Sequence, residues 1–226
     1  MAVVIEIWSD VVCPWCYIGK KRFDAAIEAL TTGPDAVDAP IEVVYRAYQL
    51  DPTAPLGTSA PVRDTYAKKF GGYERADRII ENLTATARED GLDFRMDIAQ
   101  RANTQLAHRL LWWIGHERDG ETQARLKEAF LDAYFTKGQN VADPQVLATI
   151  TADVTGLPLD DVHAMIDSAL GRGEVAEELA QAVSHGITGV PTYVIDGAWA
   201  IPGAQDASTF ERVIRRALAR AANPDA

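Results

Sequence analysis

Cysteine is nearly absent from this chain, with two in 226 residues. That excludes a disulfide-stapled framework and leaves a zinc site, which usually takes four ligands, short of thiolates. Basic clusters are also missing. The 22 Lys and Arg against 33 Asp and Glu give a formal charge of −11, which argues against nucleic acid and anionic membrane as partners. No apolar run approaches the ~18 residues of a membrane span, and there is no internal repeat or low-complexity tract. Met1-Ala2-Val3-Val4-Ile5-Glu6 lacks the basic start of a secretory leader, and Glu6 and Asp10 interrupt the apolar run. A cytoplasmic location is therefore expected. An apolar fraction of 47% is enough for a sizeable core.

What the chain does have is a particular placement of its two cysteines. Cys13 and Cys16 stand three apart in Ser9-Asp10-Val11-Val12-Cys13-Pro14-Trp15-Cys16, after a strand-like run over residues 3–8. Pro14 suits a first helical position, since its fixed φ fits and its missing N–H would be unpaired there anyway. Cys13 then falls at the N-cap, facing unpaired backbone N–H groups and the positive end of the helix dipole. Both effects favour thiolate, so a depressed pKa is expected for Cys13. Cys16, nearly a turn further in, should be the more buried. Cys13 would attack a disulfide and Cys16 would resolve the mixed species. Three plainer readings stay open: half of an intermolecular metal site, inert core thiols, or a short structural disulfide.

The rest of the pattern gives β-α-β, a long helical block, then α-β-β-α. Ile18, Ala25, Ala26, Ala29 and Leu30 make a loose helical stripe, stopped by Thr31-Thr32-Gly33-Pro34, and residues 41–48 read as a second strand. From Asp51 to Pro61 the chain is a loop. Helical spacing then runs through Thr65–Arg88, through Ile98, Leu106, Leu110, Trp113 and Ile114, and through Leu126, Phe130, Ala133 and Tyr134. Two more helices follow, one from Asp143-Pro144 and one from Leu159. Val175, Leu179 and Val183 mark a helix ending at Gly186, and Thr192–Ile195, Asp196-Gly197 and Ala198–Ile201 form a hairpin. Ser208 and Glu211 fit a capping box for the terminal helix. The expected architecture is α/β with an inserted α-helical subdomain: core at 1–52 and 171–226, insert at 53–170.

Several other residues are weighed for a role. Gly189-Val190-Pro191-Thr192 precedes a strand. Proline is tolerated at a strand's first residue, and the Val190–Pro191 bond is either an ordinary trans bond there or a cis bond that turns the Val190 backbone toward the thiols. Asn103 shares a helical face with Leu106, Ala107 and Leu110 and either satisfies a buried network or faces a cleft. His108 and His116 are about 12 Å apart along a helix, too far to chelate one ion, and read as surface or packing histidines. Asp10 needs no special role at a strand end, His185 reads as a helix-end residue, and Glu174 to Glu178 read as a solvated face. Trp112-Trp113 reads as packing.

Three segments together resemble the DsbA-like thioredoxin-fold oxidoreductases, in particular the FrnE-like branch. They are Ser9-Asp10-x-x-Cys13-Pro14-Trp15-Cys16-Tyr17-Ile18-Gly19, Asn103-Thr104-x-x-Ala107-His108-Arg109, and Gly186-Ile187-x-Gly189-Val190-Pro191-Thr192, with Ile201-x-Gly203-Ala204-Gln205 trailing. The resemblance implies a thioredoxin-like core with a helical insertion, a redox-active Cys13–Cys16 pair, and a cis-Pro191. Substrate docking would fall to Pro14, Trp15, Val190, Pro191 and Thr192. It implies no required cofactor and no metal, with glutathione admissible as a co-substrate. Partners would be thiol- or disulfide-containing proteins or small molecules, and the chain a monomer or homodimer. Relatives of this fold class, the kappa-class glutathione transferases and 2-hydroxychromene-2-carboxylate isomerases, place serine where Cys13 stands. A glutathione-dependent isomerase or transferase acting on a small aromatic or polyketide-like molecule is the enzymatic rival, and a peptide-binding chaperone the non-enzymatic one.

Overall fold

The computed structural model describes residues 2–32, 36–37, 40–56 and 60–222. The expected helix stop at Gly33-Pro34 and residues 57–59 of the expected loop lie outside them. Four strands form one mixed sheet in the order β2-β1-β5-β6. The central β1 (Val3–Ser9) runs parallel to β2 (Ile41–Ala47), with Val3 beside Ile41 and Ser9 beside Ala47. On its other side β1 is antiparallel to β5 (Thr192–Ile195), with Ile7 opposite Tyr193, and β5 turns back into β6 (Trp199–Pro202). The turn at 196–198 has positive φ at Asp196 and Gly197, and the Asp196 carboxylate accepts from Val4 N at 2.8 Å.

Alternation along the strands sends side chains to two faces. Val3, Ile5, Ile7, Tyr193 and Ile195 pack against α1 (Pro14–Thr32) and α9 (Ala207–Ala222). Trp8 points the other way, to Ala182 of α8 (Arg172–Ser184) and Ile187. The buried stripe of α1 is Ile18, Phe23, Ala26 and Leu30, while Ala25 and Ala29, expected on it, are exposed.

Between β2 and β5 the chain builds a second core. It contains β3 (Ala60–Pro61), α2 (Val62–Phe70), α3 (Tyr73–Glu89), β4 (Gln100–Arg101), α4 (Gln105–Glu117), α5 (Gly120–Phe135), α6 (Pro144–Thr155) and α7 (Leu159–Asp167). The single helix expected over Thr65–Arg88 is two, broken at Gly71 and Gly72, whose φ of +85° and +121° only glycine adopts readily. Ile98 lies in a turn and is 40% exposed rather than on a helical stripe. The two-residue ribbon β3–β4 is too short to carry a periodic signal. α9 starts at Ala207, and the Asp206 carbonyl accepts from Thr209 and Phe210. Glu211 pairs with Arg215 one turn on, so no Ser208 capping box forms.

Side chains of α5, from this helical part, and of α8 cover the edge of the sheet. Edge strand β2 would offer unpaired groups to any passing strand, and Gln123 of α5 covers them. Its Oε1 accepts from Tyr45 N at 2.8 Å, and its Nε2 donates to Tyr45 O and Leu111 O at 3.1 Å each. Glu178 of α8, expected on a solvated face, is buried instead. Its carboxylate accepts from Ala47 N at 2.8 Å and from Arg46 at 3.0 Å. Val183, expected on the apolar stripe of α8, is 78% exposed, because Val175, Glu178 and Ala182 form the buried face.

Candidate functional site

Cys13 occupies the position just before α1. Its carbonyl accepts from Cys16 N at 3.0 Å and from Tyr17 N at 3.3 Å, while Cys13 N donates to Asp10 O at 3.3 Å. Helix initiation thus fixes the first sulfur against the helix start and the second less than a turn inside. Both are free thiols and both are 2% exposed. The expected asymmetry of burial is absent, because a chain segment from far along the sequence covers Cys13. The Cys13 S–H donates to Val190 O at 3.5 Å, across 177 positions of sequence.

The Val190–Pro191 bond is cis. The segment around it is tied on both sides: Thr192 Oγ1 donates to Gly189 O at 2.8 Å, and Gly203 N donates to Pro191 O at 2.7 Å. Gly19 of α1 packs so closely here that a Cβ would lie 2.7 Å from Tyr193 Oη and 3.1 Å from Pro191 Cγ. The structure therefore brings together Cys13, Pro14, Cys16, Val190, Pro191 and Thr192. Trp15 turns outward and is 43% exposed.

Burial corrects the expected ionisation of the pair. Burial, and the sulfur of Cys16 as hydrogen-bond partner and charge, push the Cys13 thiol well above its usual range. Burial also raises Cys16, but the hydrogen bond from Cys13, the charge of Lys127 and the Ser9 hydroxyl more than offset it and hold Cys16 below the ordinary thiol value. The inner sulfur is thus the more readily ionised of the two in this closed arrangement.

Beneath the pair lies a set of charges that the sequence reading left aside. Asp10 is fully buried. One oxygen faces His108 Nε2 at 3.2 Å and the other accepts from Leu50 N at 2.8 Å. Burial would raise this carboxyl, yet the His108 hydrogen bond and charge, Leu50 N–H and Lys127 together hold it below the usual carboxylate range. Lys127 of α5 is 1% exposed, and desolvation lowers its pKa against the opposing pull of Cys16 and Asp10. His108 is accordingly neither a surface nor an idle packing residue. Lys127 could have been flagged: it stands three before Phe130 and seven before Tyr134, on the apolar face of its helix.

Asn103 precedes α4 rather than sharing its face. Its Nδ2 donates to Ala54 O at 2.7 Å and its Oδ1 accepts from Gln105 N at 3.0 Å, so it pins a loop to a helix start. It does not line the cavity of about 320 Å³ beside the thiols, although Arg101 and Ala102 do. Arg109, its neighbour in the same motif, is also structural. Its guanidinium donates to the carbonyls of Met165, Ile166, Ser168 and Leu170 at 2.8–3.3 Å, closing the end of α7. His116 Nδ1–H donates to the Trp112 carbonyl, 2.7 Å away, on the surface.

Comparison with known proteins places this geometry. The family model of the DSBA-like thioredoxin domain matches residues 4–215. A probable DsbA oxidoreductase from Streptomyces coelicolor is 32% identical, with 96% of this chain and 90% of that one covered and a TM-score of 0.84. Two more distant structures share the fold. A 2-hydroxychromene-2-carboxylate isomerase is 13% identical, with 99% and 100% covered and a TM-score of 0.67. The cytosolic disulfide reductase DsbM from Pseudomonas aeruginosa, solved with GSH, is 16% identical, with 96% and 99% covered and a TM-score of 0.65. At such identities the likeness concerns the fold alone, and the two share it about equally.

Proposed function

The chain belongs to the DsbA-like thioredoxin domain family, and from that membership and the geometry of its sulfurs we propose that it catalyses dithiol–disulfide exchange through Cys13 and Cys16. The observation that carries this reading is the contact between Cys13 Sγ and Val190 O. It supports a reading in which the Val190 carbonyl, beside the reacting sulfur, accepts a hydrogen bond from an incoming substrate strand.

Cys13 attacks one sulfur of the substrate disulfide and displaces the other as a thiolate. The Cys13 proton goes to that departing thiolate, which leaves as a thiol. Cys16 then attacks Cys13, closing the internal disulfide, and its proton goes to the second substrate sulfur, which is released as a thiol. Two electrons move from the protein dithiol to the substrate; run backwards, the same steps oxidise a substrate dithiol. Pro14 sets the helix start, Trp15 offers an exposed ring beside the pair, and Thr192 holds the Gly189–Pro191 turn. In this reading residues 1–52 and 171–226 are the exchange core and 53–170 the insert. The chemistry needs no metal or organic cofactor. Glutathione serves as a co-substrate that resets the pair, and a cytoplasmic protein of this kind would meet it there.

The test is reduction of insulin by dithiothreitol with wild type, Cys13→Ser and Cys16→Ala. Catalysis lost in Cys13→Ser, with a trapped mixed disulfide in Cys16→Ala, supports exchange. Activity on a glutathione adduct that survives in Cys16→Ala while insulin reduction is absent from wild type overturns it in favour of the isomerase reading. Peptide binding that persists without either cysteine, again with no catalysis, points to a chaperone. Titration against glutathione buffers then fixes direction: a midpoint near about −270 mV marks a reductant and near about −120 mV an oxidant.

A further inference from the structure

The cavity beside the thiols has a character that exchange alone does not require. Its volume is about 320 Å³, and its lining includes Val12 and Pro14, the chain neighbours of Cys13. The insert contributes Val62, Tyr66 and Phe70 of α2 to the same lining. The rings of Tyr66 and Phe70 stand edge to face, 5.5 Å apart at 76°. Burial raises the phenol pKa of Tyr66, and Tyr66 is near enough to the first sulfur that a negative charge on Cys13 would raise it further. At the rim Lys69 lies over the Phe70 ring, 5.6 Å from its centre, and forms no ion pair with the described residues. The other rim cation, Arg101, is neutralised by Asp51 at 2.6 Å.

Resting on the exchange reading, we infer that this cavity selects small disulfides whose arm is a single aromatic ring carrying a carboxylate. The ring fills the space against Tyr66 and Phe70, the carboxylate meets Lys69, and the sulfur at the base of the ring lies toward Cys13. The volume sits at the lower limit of small-molecule pockets, sufficient for one ring and too small for a folded partner. An aromatic wall rewards a ring over an aliphatic arm, and Lys69, free of an ion pair with the described residues, gives an anionic group a cation in the lining of this cavity within a chain of charge −11. On attack by Cys13 the aromatic arm leaves as a thiolate; the second arm, held on Cys13 as a mixed disulfide, leaves when Cys16 closes the pair. The disulfide is reduced to two aromatic thiols and the protein dithiol is oxidised.

The experiment measures the rate at which reduced protein consumes three probes: 5,5′-dithiobis(2-nitrobenzoate), 4,4′-dithiodipyridine and hydroxyethyl disulfide. The readout is the ratio between probes, which cancels general effects on the thiols. Phe70→Ala should lower the aromatic-to-aliphatic ratio by about tenfold, the loss of a ring contact. Lys69→Met, at an exposed position, should lower the nitrobenzoate-to-pyridine ratio by about threefold. Ratios unchanged in both variants of a folded, active protein overturn the inference and leave exchange standing. Wild type inert toward all three probes removes exchange itself, and this inference with it. A fourth probe separates the sources of the ring: if Phe70→Ala alters only the rate of a cystine peptide with tyrosine beside each half, the small-molecule assignment is overturned.

Discussion

Replacing Asp10 by Asn tests the buried charge set with the least change of shape. The Asn side chain can still accept from Leu50 N, the 2.8 Å bond that one Asp10 oxygen makes, so the substitution removes charge and little else. What remains is Lys127, 1% exposed, without the carboxylate that now offsets it, and His108 facing an amide at the 3.2 Å contact. Breaking one member of a buried charge pair costs about 3–5 kcal/mol, because the other charge is left in a medium that cannot solvate it. Asp10→Ala should cost about 1–2 kcal/mol more, since Leu50 N–H then loses its acceptor.

The pH dependence separates this from a packing defect. The folded state holds the Asp10 carboxyl below its ordinary value, so the carboxylate's contribution is complete above the unfolded value of about 3.9 and is lost as pH falls through the depressed folded value. Urea unfolding of wild type and Asp10→Asn should therefore differ by a constant amount between pH 5 and 7. Below about pH 4 the curves should converge, as protonation makes wild type resemble the variant. A difference under about 1 kcal/mol at neutral pH, or one that persists unchanged in acid, refutes the assignment of a buried, ionised Asp10.

Three further outcomes follow from contacts already described. Gln123→Ala leaves the N–H and C=O of Tyr45 and the Leu111 carbonyl without a partner and should cost about 2–4 kcal/mol in urea unfolding, with faster amide exchange along β2. Gly19→Ala drives a methyl against Tyr193 Oη and Pro191 Cγ; overpacking should cost about 1–3 kcal/mol and, by lifting the neighbouring Val190 carbonyl from Cys13, make alkylation of that thiol faster than in wild type. Arg109→Lys keeps the charge but cannot span four carbonyls; a loss of about 2–3 kcal/mol in thermal unfolding is expected, with hydrogen exchange rising first at the end of α7.

The sheet and the thiol site were legible because their signals are local. A strand, a proline at the first helical position and two cysteines three apart occupy one short stretch, and chain order carried Thr192–Ile195 to its hairpin partner. The break at Gly71 and Gly72 was a local signal left unread, but the errors at Glu178, Asn103 and Cys13 concern what lies on the far side of a residue. Glu178 reads as solvated until Arg46 and the β2 edge are placed against it; Asn103 reads as helical until its bonds to Ala54 and Gln105 N show it outside the helix. The N-cap argument for Cys13 was sound as geometry and incomplete as electrostatics. It counted the dipole and the N–H groups but not the burial by Val190, which adds a desolvation cost that a helix terminus cannot offset.

The same point explains why the helical part matters to the chemistry. The core contributes the two sulfurs, Asp10 and the Val190 carbonyl. Lys127 comes from α5, His108 from α4, and the Tyr66–Phe70 wall from α2, all from the segment between β2 and β5. Val11, Tyr17 and Ile18, which flank the cysteines, are themselves buried in the core of that segment rather than in the core under the sheet. A thiol pair at a helix start is therefore seated in one hydrophobic core while its strand belongs to another. Lys127 lowers the pKa of Cys16, while Phe70 and Lys69 line the neighbouring cavity. On the reading proposed above, the insert therefore acts on thiol ionisation and on substrate selectivity through different residues, without touching Cys13, Cys16 or Pro191.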